Sequence, residues 1–191
     1  MITDIKKWLK EILNEERYLH SLGAEEKARE LAERFGADVD KAAFAALIHD
    51  NAKCFSVAEL KQIIKENNIP VSELELKSYK TLHSPVGAFI AQKELNIEDK
   101  DILNAIRFHT VGRIDMGLIE KIVFLADKIE ENTRNKDFID KINRILDETE
   151  NLDEAVLECY DATIRSLLDR KMIINPQTID VYNSLLLKLN K

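Results

Sequence analysis

The chain has 191 residues, a formal net charge of −7 and a hydrophobic fraction of 45%. This length fits one domain with a core of ordinary size, and the composition is typical of a soluble globular protein and not of a disordered chain. The acidic balance, with a pI near 5.2, excludes an extended basic surface for nucleic acid or an anionic membrane. Only 5 glycines and 3 prolines occur, which favours helices joined by short turns over an all-β fold.

Cysteine usage and hydropathy bear on the compartment. Cys54 and Cys159 form no CxxC pair and are too few for a disulfide framework, so we expect reduced thiols. Cys54 is either a ligand near the site described below or a small buried side chain. No apolar run reaches the roughly 20 residues of a membrane span, and the first residues lack the apolar region of a signal peptide. We therefore expect a cytoplasmic protein.

Apolar residues recur at helical spacing along the chain, and no alternating strand pattern persists. The pattern predicts an all-α bundle of roughly nine or ten helices. The predicted elements are a first helix capped by Thr3 or Asp4, Glu25–Phe35 closed by Gly36, a buried helix capped by Asp40, Val57–Asn67, Ser72–Tyr79, Val86–Leu95, Asp99–Phe108, Met116–Ile129, Asp137–Leu146, Asp153–Leu168 and Thr178–Leu189.

The buried helix ends abruptly in two polar side chains. Every residue from Ala42 to Ile48 is apolar, so this helix has no wet face, and His49 and Asp50 follow it directly. A buried carboxylate is costly unless a cation compensates it, and His and Asp are both ligands for divalent metals. The alternative is a hydrogen-bonded structural histidine beside a helix-terminal aspartate.

The other histidines favour the metal. The chain has only four, and they lie in four different segments. We expect His20, His83 and His109 each to lie where a helix begins or ends. The apolar run Ile122–Ala126 also ends in a carboxylate, Asp127. Two buried helices that each deliver an aspartate are difficult to explain by packing alone.

These residues resemble the H…HD…D signature of the HD-domain metal-dependent phosphohydrolases. His20, His49, Asp50 and Asp127 take its four places. The similarity covers nearly the whole chain, from about residue 17 to 183, and is greatest to the YqeK branch, whose members are symmetrical bis(5′-nucleosyl)-tetraphosphatases. The stretches that carry it are HSLG at 20–23, HDNAK at 49–53, HSPVGA at 83–88, ILNAIRFHT at 102–110 and ADKIE at 126–130.

The resemblance implies a metal centre and its ligands. His83 and His109 are extra to the signature: they either hold a second metal, with Asp50 bridging, or face the phosphates as imidazolium groups. We expect the mononuclear arrangement. Iron is preferred, and manganese, cobalt or zinc would suit the same nitrogen and oxygen donors. The implied ligands of the first metal are His20, His49, Asp50 and Asp127.

The resemblance also implies a reaction, in which a metal-activated water attacks a β-phosphorus of diadenosine tetraphosphate and two ADP leave. The implied catalytic residues are Asp50, Lys53, His83 and His109. The implied substrate-binding residues are His20, Gly23, Lys53, His83, His109, Thr110, Asp127, Arg134, Arg170 and Ile173. Lys53 would otherwise be a surface lysine, and Arg170 and Ile173 the end of a helix packed on the core. Asn51, smaller than the family residue, and Glu131, near an expected proline, depart from the pattern at the nucleotide pocket.

The resemblance further implies one HD domain over residues 1–191. Its metal-binding core would span about 17–135, and the helices of about 136–191 would complete the bundle and the nucleotide pocket. Two alternatives remain: hydrolysis of another phosphoester, such as a nucleoside monophosphate or a cyclic nucleotide, and a regulatory nucleotide-binding module without turnover. The expected partners are the nucleotide substrate and ADP, without nucleic acid or membrane, and we leave a homodimer open.

Overall fold

The computed structural model describes residues 2–191, with residues 2, 3 and 79 described by their backbone alone. The regular secondary structure of these residues consists of helices alone. Ten of the eleven α-helices have seven or more residues, which confirms the predicted all-α fold. Short 3₁₀ turns occupy Asn51–Cys54 and Tyr79–Thr81. The helices are α1 (Ile2–Ile12), α2 (Glu15–Phe35), α3 (Val39–Ile48), α4 (Val57–Glu66), α5 (Glu73–Lys77), α6 (His83–Lys93), α7 (Lys100–Phe108), α8 (Leu118–Ile129), α9 (Lys136–Thr149), α10 (Leu152–Asp169) and α11 (Pro176–Lys188).

The centre of the fold is α3, which packs against α2, α7 and α8. Its alanines allow the neighbouring helices to approach closely, and the residues from Ala45 to Ile48 are wholly inaccessible to solvent. The prediction of a buried helix that ends at His49 and Asp50 is therefore confirmed. These two polar residues lie at the junction of four helices, where burial excludes competing water.

Several predicted boundaries are wrong. Asp38, and not Asp40, caps α3, because the Asp38 side chain accepts from the Lys41 amide. Thr3 and Asp4 lie inside α1 and do not cap it. Helix α6 begins at His83 and not at Val86.

Two further differences affect α2 and α8. His20 lies inside α2 and not at its start, because the Asn14 side chain accepts from the Arg17 amide and begins the helix earlier. Helix α8 begins at Leu118 and not at Met116, because Asp115 has a positive φ of 56° and Gly117 takes the N-cap position. Its first turn is closed by the Glu120 carboxylate, which accepts from the Gly117 amide.

The C-terminal helices cover the outer face of α8. Helix α10 packs on α8, α9 and α11, and the Tyr160 ring stacks on Phe124 with centroids 5.0 Å apart. This contact joins the hydrophobic core around α8 to α10, one of the C-terminal helices. Within residues 2–191, none of the helices has both the length and the hydropathy to cross a bilayer.

Candidate metal centre

Two histidines are presented by helix ends in the same way. His49 follows α3 and His109 follows α7, each as the C-cap residue. His49 Nδ1 donates to the Ala46 carbonyl at 2.6 Å, and His109 Nδ1 donates to the Ile106 carbonyl at 2.8 Å. A carbonyl only accepts, so each Nδ1 carries the proton and each Nε2 is left with a lone pair. Both Nε2 atoms face the same buried centre.

His20 is oriented by a buried carboxylate. Its Nδ1 lies 3.0 Å from Glu130 Oε1, and Glu130 is wholly buried and also accepts from the amides of Asn132 and Thr133. Burial opposes the charge of Glu130, but these donors outweigh it and lower the pKa of that carboxyl. A Cβ on Gly23 would collide with Glu130 Oε2, so the glycine gives α2 room to pack here.

Asp50 divides the imidazoles into two groups. Its Oδ2 lies 3.8 Å from His20 Nε2 and 3.7 Å from His49 Nε2. Its Oδ1 lies 3.2 Å from His83 Nε2 and 3.4 Å from His109 Nε2. Burial would raise the pKa of Asp50, yet the surrounding imidazoles hold it well below its ordinary value. One ionised carboxylate thus serves two separate sets of nitrogen donors.

Asp127 completes the first of these groups. Its Oδ1 lies 3.1 Å from His20 Nε2 and 3.6 Å from His49 Nε2. The sequence therefore identified six side chains that the fold does bring together, although no two of the histidines share a segment. We call these six residues the metal centre: His20, His49, Asp50, His83, His109 and Asp127.

The donor set of the metal centre fits a divalent cation. His20 and His49 carry their protons on Nδ1, yet their Nε2 atoms face each other at 3.2 Å, where two lone pairs repel unless a proton or a metal lies between them. Asp127 and Glu130 overcome the effect of burial and raise the pKa of His20, so a proton can lie between the two nitrogens. A divalent cation held by His20 and His49 would take the place of this proton.

The second group favours neutral imidazoles. Burial lowers the pKa of His109 to about 4 and also lowers the pKa of His83. Their Nε2 atoms are 3.0 Å apart, and both face Asp50 Oδ1. A neutral imidazole can bind a metal through its lone pair, but it has no positive charge with which to bind a phosphate. This arrangement supports the second-metal alternative over the expected imidazolium groups.

Cationic side chains surround the mouth of the metal centre. Arg17 Nη1 lies 3.3 Å from Asp50 Oδ2. Arg134 donates to both the carboxylate and the carbonyl of Asp127 at 2.6 Å, and Lys128 Nζ lies 3.2 Å from Asp127 Oδ2. Sequence reasoning did not single out Arg17 or Lys128. A usable signal existed, because Arg17 precedes His20 by three positions and so shares its helix face.

Lys53 lies one turn beyond Asp50, as predicted. The turn is 3₁₀ and not α-helical, and the Lys53 amide donates to the Asp50 carbonyl at 2.9 Å. Burial lowers the pKa of the half-buried Lys53 amine, although the charge of Asp50 opposes this effect. Asn51, in the same turn, donates to the Gly87 carbonyl at 3.1 Å.

The remaining predicted substrate-binding residues are more dispersed. Thr110 follows His109, and its hydroxyl is hydrogen-bonded to that of Ser84 at 2.9 Å. Arg170 ends α10 and borders a cavity that Asp127 and Arg134 also line. Ile173 does not line that cavity, and 53% of its surface is exposed. Gly23 packs behind His20, so it supports the centre indirectly.

Three helices fix the loop that follows His109. The His109 carbonyl accepts from Lys128 of α8, and the Val111 carbonyl accepts from the Tyr160 hydroxyl of α10 at 2.9 Å. The Gly112 carbonyl accepts from the Gln177 side chain of α11. Gly112 has a φ of +71°, and a Cβ there would overlap the Tyr160 hydroxyl. The position of His109 thus depends on segments far along the chain.

Comparisons with known proteins agree with this geometry. The HD domain family matches residues 17–132. The chain is 41% identical over 175 residues to the symmetrical bis(5′-nucleosyl)-tetraphosphatase of Bacillus subtilis, covering 92% of each chain. It is 34% identical to the Staphylococcus aureus protein of the same name, covering 95% of this chain and 93% of that one. A crystal structure from Clostridium acetobutylicum, described as an HD superfamily hydrolase involved in NAD metabolism, aligns with a TM-score of 0.92 at 34% identity, covering 98% of both chains.

Proposed function

Because this chain belongs to the HD domain family, and to the group of it that includes these tetraphosphatases, we propose that it cleaves diadenosine tetraphosphate symmetrically into two ADP. The observation that carries the proposal is a buried metal centre, organised about Asp50, whose mouth is lined by cations. The tetraphosphate group of the substrate is strongly anionic. A protein with a net charge of −7 needs such a local concentration of positive charge to bind it.

We further propose that the centre holds two divalent metals that share Asp50. His20 and His49 would hold one ion with Asp50, and His83 and His109 would hold the other with the same carboxylate. Asp127, whose Oδ1 lies 3.1 Å from His20 Nε2 and 3.6 Å from His49 Nε2, would also hold the first ion. Nitrogen and oxygen donors without thiolate suit iron, which we prefer, as well as manganese, cobalt or zinc. Such ions lower the pKa of water and offset charge on phosphoryl oxygens.

The chain's own side chains position the substrate and assist the departing ADP. Arg17 contacts Asp50 and Arg134 contacts Asp127, so an extended phosphate chain can contact cations on both sides of the mouth. A guanidinium can hold two phosphate oxygens at once. Lys53 and Arg134 would stabilise the negative charge that develops on the leaving ADP. Burial of the six ligands limits competing water at the centre.

Product analysis in ¹⁸O-labelled water tests this function. The metal-loaded protein should convert diadenosine tetraphosphate into two ADP per substrate, with one ¹⁸O in the terminal phosphate of one ADP. AMP and ATP as products would mean cleavage between an α- and a β-phosphorus and would overturn the proposal. A parallel panel of nucleoside monophosphates and cyclic nucleotides tests the other phosphoesters, and Asp50→Asn provides the inactive control.

A further inference from the structure

Lys128 contacts one residue from each of the two groups of the metal centre. Its Nζ lies 3.2 Å from Asp127 Oδ2, and it donates to the His109 carbonyl at 3.4 Å. Asp127 belongs to the group around His20 and His49, whereas His109 belongs to the group on the other side of Asp50. The Lys128 ammonium is thus a second connection between the two groups, in addition to the shared carboxylate.

The contact with Asp127 determines which carboxylate oxygen faces the imidazoles. Lys128 donates to Oδ2, whereas Oδ1 lies 3.1 Å from His20 Nε2 and 3.6 Å from His49 Nε2. Arg134 donates to Oδ1 at 2.6 Å. Rotation of the carboxylate would break the contacts with both cations. Lys128 therefore helps to keep Oδ1 directed towards the two histidines.

The contact with His109 acts on the backbone of that residue. The His109 ring is held by the Ile106 carbonyl, and its Nε2 lies 3.4 Å from Asp50 Oδ1. His109 is the C-cap residue of α7, and the last carbonyls of a helix have no partner within it. Lys128 supplies the donor for the His109 carbonyl, so the residue is held through both its ring and its backbone.

The Lys128 ammonium makes three contacts within the protein, as many as it has N–H donors. Asp127 and the His109 carbonyl are two of them, and the third is the face of Phe124, whose centroid lies 3.9 Å from Nζ. Such a ring face attracts a cation, and Phe124 is itself buried and stacked on Tyr160. Only 18% of the Lys128 side chain is exposed. These contacts are typical of a residue that orients other side chains, since no donor is left over for a phosphate.

We propose, on the basis of the proposed function, that Lys128 is a positioning residue that sets Asp127 and His109 relative to each other. The ligands are then in place before a metal and a substrate bind. Its charge alone would weaken the binding of a cation, because like charges repel. Removal of the ammonium therefore has two opposite effects on metal affinity: the loss of repulsion raises it, and the loss of orientation lowers it. If Lys128 positions the ligands, the second effect is the larger.

The Kd for Mn²⁺ of the metal-depleted protein, measured by competition with a chelator, tests this role. Lys128→Met keeps the apolar part of the side chain over Phe124 and should raise the Kd about 10- to 100-fold. Lys128→Arg keeps the charge, offers donors to both partners and can stack on the ring, so its Kd should stay within about threefold of the wild type. Lys61→Met, at an exposed position of α4, removes the same charge and should leave the Kd unchanged.

Unchanged or tighter Mn²⁺ binding in Lys128→Met would overturn the assignment, because charge alone would then explain the residue. Equal weakening in a Lys128→Arg variant whose circular dichroism matches the wild type would overturn it too, since charge and donors are retained there. If Lys61→Met weakened binding as much as Lys128→Met, the effect would come from net charge and the assignment would again fail.

Steady-state kinetics with diadenosine tetraphosphate at saturating Mn²⁺ separate positioning from phosphate binding. Lys128→Met should lower kcat and leave KM unchanged, because the ligands are displaced while the phosphate contacts remain. A higher KM at an unchanged kcat would make Lys128 a phosphate ligand and would overturn the assignment. If the wild-type protein releases no ADP, the proposed function fails, while the Mn²⁺ affinities still report on Lys128.

Discussion

Arg17 Nη1 lies 3.3 Å from Asp50 Oδ2. The half-exposed guanidinium therefore contacts the carboxylate that both groups of histidines share, although the two residues are 33 positions apart in the sequence. We expect Arg17→Ala to lower kcat/KM for diadenosine tetraphosphate by about 10- to 100-fold, because a charge-assisted hydrogen bond contributes about 1.5–3 kcal/mol. Metal content should not change, since Arg17 is not a ligand. Arg144→Ala, at an exposed position of α9, is the control. Loss of metal in Arg17→Ala would contradict a substrate-binding role.

Glu130 should control metal affinity although it is not a ligand itself. Glu130→Gln keeps the shape but removes the charge that orients His20 and raises its basicity, so metal affinity should fall about 10- to 100-fold. Competition with a chelator measures this affinity. Glu131→Gln changes the neighbouring exposed carboxylate and should have no effect. Equal affinities in the two variants would mean that the buried carboxylate serves packing alone.

His83 should determine the number of bound metals. If Asp50 is shared by two ions, His83→Ala reduces the metal content from two ions per chain to one, because His20, His49 and Asp127 still hold the first. Elemental analysis of protein purified without an affinity tag gives the count, and circular dichroism checks the helices. A wild-type protein with one ion, or a variant that loses both, would refute the binuclear arrangement.

Two glycines with similar backbone conformations should differ sharply in how much stability the protein loses when each is replaced by alanine. Gly36 and Gly112 have φ values of +70° and +71°, but a Cβ meets no atom within 4 Å at Gly36 and overlaps the buried Tyr160 hydroxyl at Gly112. Gly36→Ala should lower the free energy of unfolding by about 1 kcal/mol from left-handed strain alone. Gly112→Ala adds overpacking and should cost about 3 kcal/mol. Urea unfolding of both variants measures the difference, and similar costs would argue against the packing described for Tyr160.

Asp153 should contribute to the acid sensitivity of the fold. Burial opposes its charge, but Lys121 and Lys188, each 2.6 Å away, outweigh burial and lower the pKa of the carboxyl. A folded pKa below the unfolded value, about 3.9, stabilises the protein above that pH and loses this contribution as the pH falls through the folded pKa.

Asp153→Asn should therefore be less stable than the wild type by about 1 kcal/mol at pH 7, and the difference should narrow as the pH falls from 5 to 2. Urea unfolding at each pH provides the comparison. The exposed Asp169→Asn variant should follow the wild type throughout. A constant difference between Asp153→Asn and the wild type would exclude the ion pairs as its cause.

Much of the site could be predicted because its ligands follow local rules. Two wholly apolar helical runs end in Asp50 and Asp127, and a carboxylate delivered by a buried helix requires a compensating cation. Histidines are scarce in this chain, so their scatter over four segments carries information. The fold class followed from helical periodicity and the lack of an alternating pattern.

The parts that escaped prediction depend on contacts between distant segments. Glu130 resembles any acid at the end of a helix until α2 packs against α8 and brings His20 to it. Arg17 reaches Asp50 only through the packing of α2 on α3. Ile173 follows α10, and 53% of its surface is exposed, so its contact with the substrate stays a prediction.

The hydrogen bonds that hold the loop after His109 have a consequence for synthesis of the protein. His20, His49 and Asp50 all precede residue 51, whereas the donors to that loop come from Lys128, Tyr160 and Gln177. A nascent chain on the ribosome thus carries half of its ligands long before the loop can be fixed. The loop that orients His109 is held in full only after α11 has emerged, because Gln177 belongs to that helix. An ion bound early by His20, His49 and Asp50 would therefore be present before His109 takes its final position.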